Sequence, residues 1–471
     1  MTWLPLCAAI LLISSAVSAA AAPLTVPERA AVLDLLRQAP EPPAALAGPI
    51  GSDELVAELL AYAERESGRL NRPIEINPLW TLTPARRDIP AEWATAQAQG
   101  AVEAWIAGLS PADPRYSRLA AARRDYAAKV AAGGWGTLPA AGVLRPGDVG
   151  PQVEALRARL AAEGFEALAA PAAVTATARS PIVYDTDLET VVRRYQALRG
   201  LEPDGVVGPA TLAALNVGAQ ARLAQIDANL ERWRWLPRPL PATRIEADVG
   251  AARAALFIEG AAALDMRIIV GAASNKTPMF ASRIETVVLN PPWNVPSSIA
   301  QGEILPRAAR DPGYLARNNF IYRDGRLQQR PGPTNSLGQV KFDMPSPFGV
   351  YLHDTPGRAA FARPVRTLSH GCMRLEKPRE LATLLLASQG WTREAIDAAI
   401  LQGETRRVDL AQPVPVFVVY NTALVDEDGL YLLPDPYGWD AQLTGSLQRQ
   451  ALAQLGRDMA PPQSECASSA G

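Results

Sequence analysis

The sequence predicts an α+β multidomain chain: a helical N-terminal scaffold, a small three-helix unit, and a mainly-β C-terminal domain carrying one long insertion. Three observations predict it. Apolar residues recur at helical spacing through the first part of the chain. Near the middle, two Gly-containing turns bracket two further apolar helical stripes. From about Thr243 the period falls to two, the spacing of strands with one face buried. A length of 471 residues allows about two to four domains.

Residues 1–22 form an apolar run followed by small residues, and the first charged side chain is Glu28. A signal peptide that is removed and a membrane anchor that is kept both fit, with a buried core helix as the third reading. The first two place the domains outside the cytoplasm. Cys7 lies too early for lipoprotein attachment, and no second long apolar run follows. Residues 24–140 read as the helical scaffold. Helical spacing is clearest in Pro27–Leu36, Asp53–Tyr62 and Leu119–Val130, punctuated by Pro40–Pro43 and Ser110–Pro114. No chemistry is visible there.

Residues 141–217 form the three-helix unit. Val153, Leu156 and Leu160 line one helix; Val191, Val192, Tyr195 and Leu198 line a second, near Leu188–Arg199. After the Gly-rich turn at Pro203–Gly208, Pro209 opens a short third helix. An Ala-rich insert at Ala167–Ser180 lengthens the first connection. Trp233 and Trp235 read as packing residues between units, with sugar stacking as the alternative.

In the β domain, Leu256–Glu259 and Met266–Val270 predict a hairpin across a Gly/Ala-rich turn. Ile284–Leu289, Val340–Phe342, Val350–His353 and Val414–Tyr420 predict further strands. Between Ile299 and Thr334 the alternation breaks into a Pro-, Gly-, Arg- and Asn-rich stretch, either a lid over a site or a passive excursion. Helices return at Lys377–Ser388 and Arg393–Gln402.

The chemistry is argued from scarcity. The chain has two histidines, His353 and His370, and three cysteines, Cys7, Cys372 and Cys466. With so few ligands, a Cys/His zinc site of the usual four-ligand kind is nearly excluded, and a disulfide framework is excluded as well. The net charge of -2 gives no basic footprint for nucleic acid. Both histidines fall within 20 residues of Cys372. A thiol ionises little at neutral pH, and a neighbouring imidazole can take its proton or stabilise the thiolate. Gly371, just before the sulfur, lets the backbone turn tightly and present N–H groups to an oxyanion. His353 needs a partner to fix its tautomer, and spacing alone shows no carboxylate for that role. Cys466, in a Ser/Ala/Pro-rich tail, reads as incidental.

Ser369-His-Gly-Cys-Met-Arg374 with the upstream His353 resembles the signature of the L,D-transpeptidase (YkuD-type) catalytic domain. The likeness runs over roughly residues 222–425. Asn229-Leu-Glu-Arg-Trp-Arg-Trp-Leu-Pro237, Val287-Val-Leu-Asn-Pro-Pro-Trp-Asn-Val-Pro296 and Tyr351-Leu-His-Asp-Thr-Pro356 resemble its large, YcbB-like branch. Residues 141–217 resemble the small peptidoglycan-binding domain of wall enzymes, although such modules also serve as spacers without affinity for glycan.

The resemblance implies Cys372 as the acylated nucleophile and His353 as base, oriented by the backbone carbonyl of Asp354. It implies an oxyanion hole lined by His370, Gly371 and Cys372 through their N–H groups. Tyr351, Ser369 and Arg374 would shape the pocket or bind substrate; for Arg374 a structural ion pair is the alternative. Residues 299–335 would be a capping insertion and 426–471 a C-terminal extension. The implied product is a 3→3 cross-link between peptidoglycan stem peptides, made without metal or organic cofactor in the periplasm or cell envelope. The family's cysteines also acylate with carbapenems. An L,D-carboxypeptidase, a D-amino acid exchange enzyme, attachment of an outer-membrane protein, a cysteine peptidase acting on proteins and a non-catalytic wall-binding protein are the competing expectations.

Overall fold

The computed structural model describes residues 23–139, 142–165 and 182–458. The expectations for residues 1–22, Cys7, Ala167–Ser180 and Cys466 lie outside the described residues.

Local chemistry sets where the helices begin. Thr25 starts Val26–Gln38 with a capping box: its hydroxyl accepts the Glu28 N–H, and the Glu28 carboxylate accepts the Thr25 N–H at 2.8 Å. Asp113 caps Pro114–Ala131 and Asp185 caps Thr186–Leu198, each accepting an orphan N–H of the first turn. Helices Val26–Gln38, Ser52–Glu66, Ile89–Ala98 and Val102–Ala107 bury one core around Leu36, Leu55, Leu59 and Ile106. The last two were not expected, because their apolar stripes are too short to show a period. The longer helix Pro114–Ala131 instead packs on Ala219–Arg234 and joins the β domain's core through Tyr116 and Leu119.

The three-helix unit forms as expected, from Pro151–Glu163, Thr186–Leu198 and Pro209–Leu215, over Val153, Leu156, Leu160, Val192 and Tyr195. It is tied to its neighbours by a buried polar network. The Glu163 carboxylate accepts from Arg199 at 2.6 Å and from the Tyr126 hydroxyl at 3.0 Å, and pairs with Arg159 at 2.9 Å. Arg199 also donates to the Leu430 carbonyl at 3.2 Å. One carboxylate therefore joins the scaffold, the unit and the C-terminal segment.

Fourteen strands follow among the described residues: β1 Arg244–Asp248, β2 Arg253–Ile258, β3 Ala261–Gly271, β4 Phe280–Leu289, β5 Trp293–Asn294, β6 Phe320–Arg323, β7 Arg326–Gln329, β8 Val340–Asp343, β9 Leu352–His353, β10 Thr367–Ser369, β11 Met373–Leu375, β12 Arg406–Val419, β13 Ala423–Val425 and β14 Leu430–Leu432. The main sheet runs β10-β3-β11-β9-β8-β4-β12-β1-β2, and β2 pairs again with β3. That second pairing closes eight strands, β3 to β2, into a ring and leaves β10 as a short edge strand flanking β3. Inward residues such as Ile245, Val287, Phe342, Leu352, Met373 and Val416 fill the interior.

Four features refine those expectations. The β2–β3 turn is tight, with Glu259 and Gly260 both at positive φ (52° and 84°), so the Ala-rich segment belongs to β3 rather than to a loop. Strand β12 begins at Arg406, eight residues early, because its register shifts between Asp409 and Val414 and interrupts the alternation. The insertion is ordered: β5-β7-β6 form a separate sheet over Val295, Ile304, Phe320 and Leu327. The C-terminal segment is no appendage. The β13–β14 hairpin spans the expected 425/426 boundary, and fully buried Trp439 packs edge-on against Trp80 and at a tilt against Tyr420.

Trp233 and Trp235 are both buried, which favours packing over sugar stacking. Among the described residues no helix is long and apolar enough to cross a membrane.

Candidate active site

Register builds the site. Strand β9 pairs in parallel with β11, matching Leu352 to Met373 and His353 to Arg374. Leu352 and Met373 point inward and are fully buried. Alternation then sends Tyr351 and His353 on one strand, and Cys372 and Arg374 on the other, to the opposite face. Strand β8 adds Lys341 beside His353. Cys372 thus lies across from Tyr351, and His353 is its diagonal neighbour on the same face.

The turn before β11 sets the sulfur. Gly371 sits at φ 109°, in the left-handed region, with no heavy atom closer than 3.8 Å to where a Cβ would be. Its need for glycine is therefore conformational. The Ser369 hydroxyl donates to the Cys372 carbonyl at 2.6 Å and accepts the Gly371 N–H at 3.1 Å. Thr277 donates to the Gly371 carbonyl at 2.8 Å. Ser369 is buried, with its hydroxyl spent inside the turn, so it builds the loop rather than meeting a substrate. Gly371's N–H is likewise committed. Among the described residues the N–H groups of His370 and Cys372 have no acceptor, which leaves those two as the open donors of the loop.

The thiol lies 4.0 Å from the Gly349 carbonyl and against the Tyr351 N–H and hydroxyl. Burial pushes its pKa up; the two Tyr351 donors, Lys341 and Arg374 oppose that. His353 is buried, and its Nδ1 lies 2.5 Å from the Asp354 carbonyl, the orientation expected from the sequence. Donation from Nδ1 leaves Nε2 as the basic nitrogen. Burial first, then the nearby Arg374 cation, holds the imidazole down at about 3. No hydrogen bond joins the ring to the thiol among the described residues. The resting pair is a thiol beside a neutral base, not a thiolate–imidazolium pair.

Arg374 is partly buried and makes no ion pair among the described residues, so the structural ion pair is not what holds it. The Asp354 carboxylate accepts the Gln339 N–H at 2.9 Å. It fits only because Gly338 (φ 62°) has no side chain: a Cβ there would stand 2.4 Å from the Asp354 carboxyl carbon. Gly338→Ala should therefore shift Asp354 and, through its carbonyl, His353. We expect a loss of about 1–3 kcal/mol in stability and a slower thiol. Unchanged melting temperature and unchanged Cys372 acylation would contradict this.

The insertion reaches the site twice. The Trp293 indole, on β5, stands near the Tyr351 hydroxyl. Glu303, on the wide helical turn Ala300–Ile304, pairs with His370 Nε2 at 2.6 Å. Sequence reasoning missed Trp293, Glu303 and Lys341, since each reaches the site only through tertiary pairing. Among the described residues no three His, Cys, Asp or Glu side chains converge on a position for a metal ion.

Residues 242–414 match the family model of the YkuD L,D-transpeptidase catalytic domain, and residues 149–215 match that described as "Putative peptidoglycan binding domain". A Haemophilus influenzae protein described as "Putative L,D-transpeptidase" is 35% identical over 208 residues, which cover 40% of this chain and 42% of that protein. Among solved structures, an L,D-transpeptidase from Mycobacterium smegmatis is 16% identical, covering 38% of this chain and 58% of that one, with a TM-score of 0.20. A fragment (residues 123–326) of an L,D-transpeptidase from Xylanimonas cellulosilytica is 16% identical, covering 59% and 98%, with a TM-score of 0.19. The chain thus carries an L,D-transpeptidase catalytic domain of the YkuD type, preceded by a peptidoglycan-binding domain.

Proposed function

We propose that the chain is an exported peptidoglycan L,D-transpeptidase that works through a Cys372 thioester. One observation carries the reading: strand register sets His353 and Cys372 on one face as diagonal neighbours, beside two open N–H donors. Closure of the sulfur onto the imidazole would accompany substrate binding, since such contacts are often loose before it.

In the first half-reaction, His353 Nε2 takes the thiol proton as sulfur attacks the carbonyl between the third stem residue and a terminal D-Ala. The His370 and Cys372 N–H groups receive the oxyanion. The C–N bond breaks, and His353 returns the proton to the departing D-Ala amine. In the second, the side-chain amine of another stem's third residue attacks the thioester. A new C–N bond forms, and the sulfur leaves and regains its proton. The peptidoglycan-binding domain would hold glycan while this proceeds, and the family likeness extends to acylation of Cys372 by carbapenems.

Incubating the full chain with a tetrapeptide stem and analysing the products by tandem mass spectrometry tests this. Released D-Ala and a dimer linked 3→3 are expected. Tripeptide alone would make the enzyme an L,D-carboxypeptidase, and exchange of the terminal D-amino acid an exchange enzyme. No product, together with no carbapenem adduct, would leave a wall-binding protein.

A further inference from the structure

The two open N–H donors beside the sulfur must be aimed by something. A peptide unit is planar, and in its trans form the N–H points opposite to the carbonyl of the preceding residue. Both units concerned are trans. Holding the Ser369 carbonyl therefore aims the His370 N–H, and holding the Gly371 carbonyl aims the Cys372 N–H. Both carbonyls are held from one loop. The Ala272 N–H donates to the Ser369 carbonyl at 2.8 Å. The Thr277 hydroxyl donates to the Gly371 carbonyl at 2.8 Å. This loop, residues 272–277, follows directly on β3 and closes through the Asn275 N–H, which donates to the Ala272 carbonyl at 2.8 Å.

The loop is held in turn by a residue far along the chain. The Tyr437 hydroxyl donates to the Gly271 carbonyl at 2.5 Å and accepts the Thr277 N–H at 3.2 Å. The Lys276 ammonium donates to the Tyr437 carbonyl at 2.8 Å. The Gly271 N–H donates to the Thr277 hydroxyl oxygen at 2.9 Å, which leaves the hydroxyl hydrogen for Gly371. Thr277 and Tyr437 are both buried, where an unmade hydrogen bond is costly. Gly271 accepts no side chain, because a Cβ would run into the Asn275 carbonyl oxygen. The Tyr437 ring is itself fixed, stacked on Tyr420 at 5.4 Å and edge-on to Trp439 at 4.9 Å. Tyr437 lies outside residues 242–414, the stretch that matches the catalytic family.

We infer that Thr277 and Tyr437 are positioning residues of the oxyanion hole. Tyr437 braces the loop, and the loop's Thr277 hydroxyl and Ala272 N–H set the directions of the two open donors. Neither side chain touches the reacting atoms. A donor helps only if it stands about 2.7–3.1 Å from where the oxyanion forms, so a small rotation of its peptide unit weakens it. The inference rests on the proposed transpeptidase reading for the hole itself. It adds what keeps the hole in shape: a brace from the C-terminal segment.

The test sets two reactions of Cys372 against each other in the full chain. Acylation by a carbapenem passes through an oxyanion. Alkylation by iodoacetamide is a displacement at carbon and forms none. Both rates are read at Cys372 by peptide mass spectrometry at one pH. Thr277→Val keeps the branched shape without the donor, and Tyr437→Phe keeps the ring in its aromatic packing without the hydroxyl. Each should slow acylation by about tenfold or more while alkylation stays within about twofold of wild type. Thr277→Ser keeps the donor and should recover acylation to within about threefold of wild type. Wild-type acylation in both Thr277→Val and Tyr437→Phe, or alkylation that departs from wild type as far as acylation does, would overturn the inference and leave the transpeptidase reading standing. Absence of any acylation in wild type would remove that reading, and this one with it.

Discussion

Cys372→Ala should show no mass adduct after incubation with a carbapenem, and its release of D-Ala should fall by about 10³-fold or more. His353→Gln should keep the thiol but lose its base, slowing acylation by about 10²–10⁴-fold. The pH profile should be as telling as the magnitudes. The imidazole is held at about 3, so it stays unprotonated far below its ordinary value of 6.5, as a weaker base. Acylation by wild type should show no acidic limb near pH 6.5. It should instead climb towards alkaline pH, because burial raises the thiol's own pKa. A rate that halves near pH 6.5 would mean a charged imidazolium in the resting enzyme and would contradict the neutral pair. An equal adduct on wild type and Cys372→Ala would remove the nucleophile assignment.

The same burial couples His353 to stability. Above about pH 6.5 the ring is neutral both folded and unfolded, and it adds no pH dependence. Between 6.5 and about 3 the unfolded chain binds a proton that the folded chain does not, so stability falls as pH falls through that window. The full loss is on the order of 5 kcal/mol. Thermal unfolding at pH 7 and pH 4 should therefore show a smaller acid-induced drop in His353→Gln than in wild type.

Glu163→Gln should be the most destabilising single change away from the site. Burial alone would raise this carboxylate's pKa, but Arg199, Arg159 and Arg222 outweigh it and hold it low. Removing its charge strands buried guanidiniums without their counter-ion, at a cost of about 3–5 kcal/mol. The loss should appear as earlier unfolding of the three-helix unit, read by hydrogen exchange at Val153, Leu160 and Tyr195. Because Glu163 is held low, its contribution is present above the ordinary carboxylate range and is lost as pH falls through its folded value. Hydrogen exchange unchanged from wild type would show that the network aligns the units without stabilising them.

Parts of this protein were legible because the sequence makes them rare or periodic. His353 and Cys372 stood out since histidine and cysteine are almost absent elsewhere. The helices Pro151–Glu163 and Thr186–Leu198 stood out since long apolar stripes repeat with the helical period. The strands β10 and β11 are three residues each, too short for alternation to show. Val340–Phe342 could be read as a strand, but nothing in it says that Lys341 stands beside His353. Ser369 looked like a substrate contact because a serine in a motif suggests one. Only the fold shows its hydroxyl turned inward, holding the Gly371 turn.

Sequence by itself determined the reacting types, their order along the chain and the glycine their turn demands, because these follow from each residue's own chemistry and allowed backbone angles. Tertiary structure alone decided which face they share, which N–H groups stay open, and that Lys341, Trp293 and Glu303 surround them. Those depend on pairings between distant segments, and a one-residue shift in the main sheet would turn Cys372, His353 and Lys341 to its other side.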